Sequence, residues 1–333
     1  MSQVGIVVNP FSGKDLRRIS SSAPNVSNNE KAEKVIRIIR SIRQFDSVDK
    51  VLLLPDNYDI SNYIAATIRR ESQRPHIEIL SLIPQSDPAD TISGVAELVR
   101  RGVDCIIALG GDGTCRLCAS VCDDTPLIPI STGTNNVYPE FWEGTTVGVA
   151  AAYIATKGPD AACCNRSKMI TVFVNGEEKE VALVDAAITH TPYIGSKIVP
   201  DVKDISAVVV CKCAPELIGL SALIGCSEIC DDEDDFGIAM SMEGGNFVAR
   251  ASLNPGETSM IRHQPPQRLS FKQRWEIKAD YNGTIALDGE RTLVFRAGDR
   301  IEFSVDRTGP YKVDIRRTLR KAVREGFLEL PCE

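Results

Sequence analysis

The alternation of short apolar runs with stretches of helical periodicity over the first 135 residues constrains the fold most. Residues 4–8 form a β-branched run that ends at Asn9-Pro10, and residues 30–45 then place apolar side chains at helical spacing. The pattern continues with strands expected at 51–54, 77–82, 105–109 and 127–130, and with helices expected near 60–71, near 88–101 and after Gly113. Such alternation produces a mostly parallel sheet with helices on both faces. We therefore predict an N-terminal Rossmann-like parallel α/β domain over residues 1–138.

The pattern changes after residue 138. A helix is expected near 145–156, and Asn175-Gly176 between the runs 170–174 and 179–187 predicts a hairpin. Further short strands are expected at 205–211, 237–242, 246–252, 273–279, 284–287, 292–295 and 300–304. We therefore predict a mostly antiparallel, β-rich second domain over residues 139–310. The amphipathic segment 311–333 is expected to pack back on the first domain.

Length and charge limit the classes of function. A chain of 333 residues exceeds the size of most single cores, which favours two domains. The net charge of −7 argues against a surface that attracts nucleic acid or anionic membranes as a whole. No apolar run approaches the roughly 20 residues of a membrane span, and no leader sequence is recognisable. We expect a cytoplasmic homo-oligomer without nucleic-acid or membrane partners, whose 11 cysteines are mostly reduced and buried.

The strongest chemical signal is a turn of three glycines. The strand expected at 105–109 runs into Gly110-Gly111-Asp112-Gly113-Thr114, and helix-compatible residues follow. A strand, a glycine turn and a helix start bring unpaired N–H groups and the positive end of a helix dipole to one point, where phosphate can bind. Asp112 would repel phosphate unless it holds Mg²⁺ or accepts a proton from an attacking hydroxyl, so it favours phosphoryl transfer. The structural alternative is a tight turn in which Asp112 caps the helix.

Two other segments offer polar groups at strand ends. Asn9 and Ser12 carry an amide and a hydroxyl that can donate to phosphate oxygens, although an Asx or Ser turn would use the same residues. Residues 131–136 (STGTNN) follow the strand expected at 127–130 and offer hydroxyls and amides without charge. That composition suits contacts with ribose, adenine or phosphate, and it also suits a linker into the second domain.

Three further patterns have an ordinary structural interpretation. Asp288-Gly289-Glu290 is typical of a hairpin turn. Cys115, Cys118 and Cys122 recur on one helix face, which favours core positions over a zinc site. The acidic run 231–235 could hold a cation, but a solvated loop is the usual structure of such a run. No metal site made of protein ligands alone is predicted.

Four motifs together carry a family resemblance. GGDGT after an apolar strand resembles the motif shared by NAD kinases and the diacylglycerol and sphingosine kinases. NPFSG at 9–13, GTNN at 133–136 and DGE at 288–290 resemble the NPxSG, GTxND and DGE motifs of the lipid-kinase branch, in the same order along the chain. Asn136 stands where that branch usually has an Asp. A closer likeness is to ATP-NAD kinase-like proteins encoded with acetoin catabolism, which share STGTNN at 131–136 and GLSA at 219–222.

The resemblance implies a two-domain enzyme that binds ATP with Mg²⁺ in the cleft between the α/β domain and the β-sandwich. Carried over by position, the nucleotide-binding residues are Asn9, Ser12, Gly13, Gly110, Gly111, Gly113, Thr114, Thr134, Asn135 and Asn136. Asp112 and Glu290 are implied as catalytic carboxylates. Asp185 is implied as an acceptor-binding residue, although Val184 replaces the amide that precedes it in NAD kinases.

The sequence therefore predicts an ATP-dependent kinase that phosphorylates a hydroxyl of a small molecule, with NAD as the first acceptor to consider. The departures at Asn136 and Val184 also fit a non-catalytic, nucleotide-binding regulatory protein. A lipid kinase of the diacylglycerol type is a further alternative. A Rossmann-type oxidoreductase is disfavoured, because NPFSG rather than GxGxxG follows the first strand.

Overall fold

The computed structural model describes residues 2–13, 26–133, 135–192 and 202–329. Its helices are α1 (Asn28–Ile42), α2 (Ile60–Glu71), α3 (Pro88–Arg100), α4 (Asp112–Ala119), α5 (Gly144–Lys157), α6 (Leu220–Gly225) and α7 (Ile315–Arg324). The first sheet contains β1 (Gln3–Val8), β2 (Lys50–Leu53), β3 (His76–Ile79), β4 (Cys105–Gly110), β5 (Leu127–Ser131), β6 (Cys164–Arg166) and β19 (Tyr311–Val313). Among the described residues, no helix combines the length and the apolar character needed to cross a bilayer.

The first sheet has the strand order β3-β2-β1-β4-β5-β19-β6 and is parallel except for β6. This confirms the predicted parallel α/β fold. The order places β1 beside β4, with Val8 opposite Leu109, so the turns that follow these two strands are neighbours. Sheets of this kind bind ligands at the carboxyl ends of the strands, where the direction of winding reverses.

Two apolar cores cover the faces of this sheet. On one face, α1, α2, α5 and α7 pack through side chains such as Ile36, Ile64 and Ala151. On the other face, α3 and α4 pack through Leu98 and through Cys115 and Cys118, and Cys122, in the turn after α4, joins the same core. The spacing of the three cysteines thus reflects positions that face this core.

The remaining strands form antiparallel sheets. They are β7 (Met169–Val174), β8 (Glu177–Ala182), β9 (Asp185–Thr189), β10 (Ile205–Val210), β11 (Phe236–Ser241), β12 (Phe247–Asn254), β13 (Glu257–His263), β14 (Gln267–Ser270), β15 (Arg274–Lys278), β16 (Gly283–Leu287), β17 (Glu290–Phe295) and β18 (Arg300–Asp306). A six-stranded sheet, β14-β11-β10-β9-β16-β17, and a four-stranded sheet, β15-β18-β7-β8, enclose one apolar core. This confirms the predicted β-sandwich, and β12 and β13 form a separate hairpin.

One predicted strand was wrong. The expected strand at 179–187 is two strands, because the chain leaves the four-stranded sheet after Ala182 and enters the six-stranded sheet at Asp185. The amides of Leu183, Val184 and Asp185 donate to the carboxylate of Asp288 instead of continuing one ladder. A residue about one hundred positions away therefore sets this break.

The chain crosses between the two architectures more than once. Helix α5 and strand β6 follow residue 138 but belong to the first core and the first sheet. Strand β19 pairs in parallel with β5, and Ile315 and Ala322 of α7 are buried in the first core. The C-terminal elements thus lie against the parallel sheet.

Candidate functional site

The glycine turn lies at the carboxyl end of β4, where α4 begins. Gly111 is the N-cap residue of α4 and has no side chain that could cap the helix. The first-turn amides of a helix have no partner inside the helix, and here they lie at the positive end of its dipole. A Cβ added to Gly110 would lie 2.4 Å from the Cβ of Thr114, so the close approach of strand and helix requires glycine there.

Asn9 joins the turn after β1 to this helix. Its Nδ2 donates to the hydroxyl of Thr114 over 2.8 Å, and its Oδ1 accepts from the amide of Phe11 over 2.8 Å. The side chain therefore forms an Asx-type turn and also a link between the turns that follow β1 and β4.

Ser12 and Gly13 contact the segment that follows β5. The hydroxyl of Ser12 donates to the carbonyl of Asn9 over 2.8 Å and accepts from the hydroxyl of Thr132 over 2.9 Å. Gly13 has a φ of +70°, and an added Cβ would lie 2.5 Å from the carbonyl oxygen of Thr132. Only glycine satisfies both conditions.

Lys31 is a residue of this site that the sequence did not indicate. It lies on α1, is 1% exposed, and its Nζ donates to the carbonyls of Asn9 and Ser12 over 2.9 and 2.7 Å and to Oδ1 of Asn28 over 3.1 Å. A buried ammonium thus holds the turn after β1 in place. The sequence could not indicate this role, because Lys31 lies in an amphipathic helix and two of its partners are backbone carbonyls of another segment.

The segment after β5 closes the group of turns. The Nδ2 of Asn136 donates to the hydroxyl of Ser131 over 2.8 Å, and its Oδ1 would lie 2.8 Å from a Cβ on Gly111. Asn135 precedes it and is half-buried. Thr134, which the sequence also indicated, lies outside the described residues.

Asp112 does not cap its own helix. Its Oδ1 accepts from the amide of Tyr138 over 2.8 Å, and the amide of Val137 lies 3.1 Å from both carboxylate oxygens. Burial raises the pKa of Asp112 to about 7, the charge of Asp288 acts in the same direction, and the amides of Tyr138 and Val137 and the charge of Lys312 oppose the rise. A carboxyl that gains or loses its proton near neutral pH is suited to general acid–base chemistry.

Asp288 is the second carboxyl of the site whose pKa is raised. It begins the turn between β16 and β17 with a φ of +49°, so Asp288-Gly289 is the hairpin turn that the sequence indicated. Its side chain is fully buried and accepts from the amides of residues 183–185. Burial raises the pKa of Asp288 to about 6, and Arg116 and the three amides oppose the rise.

Asp185 and Glu290 flank this turn. Asp185 begins β9, and its carbonyl accepts from the amide of Asp288 over 2.9 Å. A Cβ added to Gly113 would lie 3.5 Å from Oε1 of Glu290, so this carboxylate from the β-sandwich lies beside the glycine turn. The fold therefore brings Asp112, Asp185 and Glu290 to one region, although they are far apart in sequence.

The acidic run 231–235 is a surface loop whose backbone is held by two cationic side chains. Lys168 donates to the carbonyls of Asp231 and Phe236 over 2.6 and 3.1 Å. Arg307 donates to the carbonyls of residues 232–234 and, over 2.9 Å, to the carboxylate of Asp235. Two cations of the protein thus occupy the inside of this loop.

A cavity of about 730 Å³ lies elsewhere in the molecule. It is lined by residues such as Asp124, Arg166 and Tyr311, which precede β5 or stand at the matching ends of β6 and β19. These positions mark the amino edge of the parallel sheet. The cavity is therefore on the opposite edge of the sheet from the glycine turn.

Comparisons with known proteins agree with this architecture. Residues 4–157 match the family model of the ATP-NAD kinase N-terminal domain, and residues 168–308 match that of the acetoin catabolism protein X C-terminal domain. The chain is 30% identical to acetoin catabolism protein X of Cupriavidus necator over 337 residues, which cover 98% of this chain and 93% of the relative. The crystal structure of yeast NADH kinase complexed with NADH has a similar fold, with a TM-score of 0.56 and 14% identity over 100% of this chain and 89% of that one.

Proposed function

Because the chain belongs to the acetoin catabolism protein X family and has an ATP-NAD kinase N-terminal domain, we propose that it is a kinase that transfers a phosphoryl group from ATP to a hydroxyl of a small molecule. The observation that carries the proposal is Asp112, whose carboxyl lies at the start of α4 with a pKa raised to about 7 by burial. In its ionised form this carboxylate accepts the proton of the attacking hydroxyl.

The phosphate-binding part of the proposal rests on backbone amides. The first-turn amides of α4 and the helix dipole favour an anion at the glycine turn, and Gly113 leaves that approach without a side chain. The side chains of Asn9, Ser12 and Thr114 are bonded to one another or to backbone, so they hold the turns in place around the ligand.

Mg²⁺ fits this arrangement as an ion held jointly by protein and nucleotide. Asp112 and Glu290 are the carboxylates beside the glycine turn, and Mg²⁺ in such enzymes usually takes one or two carboxylates together with phosphate oxygens. When bound, it neutralises charge on the transferred group. The residues of this chain position the triphosphate and remove the proton of the acceptor.

NAD is the first acceptor to test. Yeast NADH kinase, whose fold is similar, was solved with NADH, and Asp185 stands at the edge of the same region as Asp112 and Glu290. Val184 is buried and uses its amide to bond Asp288, so it supplies no polar group to an acceptor. Acceptor binding would therefore depend on Asp185 and on groups outside residues 183–184.

The test is ADP release from Mg-ATP by the purified protein with NAD, NADH, sugars and polyols as acceptors. We expect turnover with at least one acceptor, a loss of at least about a hundredfold in Asp112→Asn, and unchanged turnover in Asp124→Asn, whose side chain is 83% exposed. The kcat/KM of the wild-type protein should rise with pH through about 7, as Asp112 loses its proton. Full turnover in Asp112→Asn would remove the proposed role.

A second candidate is a regulatory protein that binds ATP without transferring phosphate. Asn136 favours it, since this residue stands where the lipid-kinase branch has an Asp and uses its amide to hold Ser131 and the carbonyl of Gly133. Calorimetric ATP binding together with no ADP release across all acceptors would support this function over the kinase.

A further inference from the structure

Arg116 connects the glycine-turn helix to both sheets of the β-sandwich. It follows Asp112 by about one helical turn on α4, and its side chain is 8% exposed. Its Nε lies 3.6 Å from Oδ2 of Asp288, in the turn between two strands of the six-stranded sheet. Its Nη1 lies 3.7 Å from Oε2 of Glu180, on a strand of the four-stranded sheet. One buried guanidinium therefore faces a carboxylate from each sheet.

The geometry of these contacts is that of ion pairs without hydrogen bonds. The Nε of Arg116 has no hydrogen-bond partner among the described residues, although it is buried. By contrast, Arg307 donates to four carbonyls and one carboxylate. Since a buried donor without a partner is costly, the position of Arg116 is not explained by local stability alone.

We propose that Arg116 is a positioning residue of the candidate site, holding the helix of Asp112 and the turn of Asp288 in a fixed relation through its contacts with Asp288 and Glu180. This inference rests on the proposed function of Asp112. Arg116 itself does not contact the reacting groups. Removing it leaves the buried Asp288 without the cation that faces it, while the three amides of residues 183–185 remain.

The charged and polar groups around Asp288 and Asp112 come from several elements. Asp288 is faced by Arg116 from α4 and by the amides of residues 183–185. Asp112 is faced by Asp288, by Lys312 from β19 and by the amides of Val137 and Tyr138. Glu290 lies beside the same turn, and Glu180 shares the guanidinium.

Loss of the guanidinium should act through the position of the two elements that it contacts. Arg116→Met removes both ion pairs but keeps the apolar stem, whereas Arg116→Lys keeps a cation between Asp288 and Glu180. Recovery of activity by lysine gives a readout that a role in packing alone would not produce.

The experiment compares Arg116→Met with the wild-type protein and with Arg100→Met, a control whose side chain is 71% exposed. We expect Arg116→Met to lower kcat about tenfold or more with the KM for ATP changed less than about threefold, and Arg116→Lys to recover most of the lost kcat. A second readout, hydrogen exchange at the amides of residues 183–185, follows the turn of Asp288 directly, because these amides donate to its carboxylate. Exchange should become faster in Arg116→Met and stay unchanged in Arg100→Met.

The outcomes separate this proposal from the proposed function. If the wild-type protein shows no turnover but exchange of these amides becomes faster in Arg116→Met, the kinase proposal fails and the positioning role of Arg116 stands. A folded Arg116→Met with unchanged exchange of these amides overturns the positioning role, even in an active kinase. If Arg116→Met does not fold, Glu180→Gln is the deciding variant. This substitution should lower kcat severalfold. A wild-type kcat in Glu180→Gln would reject the positioning role of the contact between Arg116 and Glu180.

Discussion

The side-chain amide of Asn9 donates to the hydroxyl of Thr114 over 2.8 Å, so the turn after β1 is fastened to the helix that follows β4. These strands are neighbours in the middle of the parallel sheet. The carbonyls of the same turn are held by Lys31 from α1. The group of turns is therefore ordered by contacts within the protein, and the proposed ligand would meet backbone amides that are already in place.

Asn9→Ala should loosen this link. The variant loses the bonds to Thr114 and to the amide of Phe11, and we expect the free energy of unfolding to fall by about 1–2 kcal/mol. Affinity for ATP, measured by calorimetry, should fall as well, because the turns are no longer fastened together. The control is Asn57→Ala, which removes an exposed asparagine bonded to the carbonyl of Pro84 and the hydroxyl of Ser86. Wild-type ATP affinity in Asn9→Ala would contradict this view of the site.

Gly113→Ala separates the proposed function from the fold. An added Cβ has Oε1 of Glu290 at 3.5 Å as its nearest neighbour, which is an ordinary contact, and the position is helical. We expect stability equal to wild type or higher by up to about 1 kcal/mol, because alanine favours the helix. Binding of ATP should weaken about tenfold or more, since the methyl group enters the path of the phosphates.

Gly110→Ala is the matched contrast. There the added Cβ would lie 2.4–2.6 Å from three side-chain atoms of Thr114, so the variant should be clearly destabilised in thermal unfolding. Unchanged ATP binding in a stable Gly113→Ala would place the phosphates somewhere other than this turn.

Lys31→Met tests the buried ammonium. The variant leaves the carbonyls of Asn9 and Ser12 without their donor in a buried place, and we expect a loss of about 2 kcal/mol or more in urea unfolding. Lys34→Met, one turn along the same helix and half-buried, should cost less. Equally small losses of unfolding free energy in the two variants would show that Lys31 contributes only its apolar stem, which methionine keeps.

The order of elements could be predicted because it depends on local pattern. Strand β4, buried at every residue, and helix α1, with its capping box of Ser27 and Glu30, both follow from neighbouring residues. The break between β8 and β9 could not be predicted, because residues 181–188 form an apolar run that only Asp185 interrupts. Asp288 imposes that break by accepting three amides from a segment about one hundred residues away.

The same limit applies to the candidate site. The glycine turn was recognisable from its residues, because glycine spacing and a following helix are local features. Lys31 and Arg116 were not recognisable as residues of the site, because a polar side chain on an amphipathic helix normally faces solvent. Each is buried only because another segment supplies carbonyls or carboxylates to it.

The raised pKa of Asp112 also predicts how the free energy of unfolding depends on pH. In the unfolded chain Asp112 titrates near pH ~4, whereas in the folded protein burial raises its pKa to about 7. Between these values the folded protein binds more protons than the unfolded chain. The free energy of unfolding should therefore decrease as pH rises from about 4 to about 7, and Asp288 contributes in the same direction up to about pH 6.

Asp112→Asn removes this contribution, because asparagine stays neutral. Relative to wild type, the free energy of unfolding of the variant should increase by on the order of 2 kcal/mol between pH 5 and pH 8. The full difference between the folded and unfolded pKa of Asp112 corresponds to about 4 kcal/mol. The expected gain is smaller because the side chain is half-buried, so solvent screens part of the effect. Urea unfolding at the two pH values measures the gain. In the control Asp124→Asn, whose side chain is exposed, the free energy of unfolding should change with pH as it does in wild type. If the curves of Asp112→Asn and wild type are also parallel, then Asp112 is ionised throughout this range, and it could not gain a proton near neutral pH as the proposed base must.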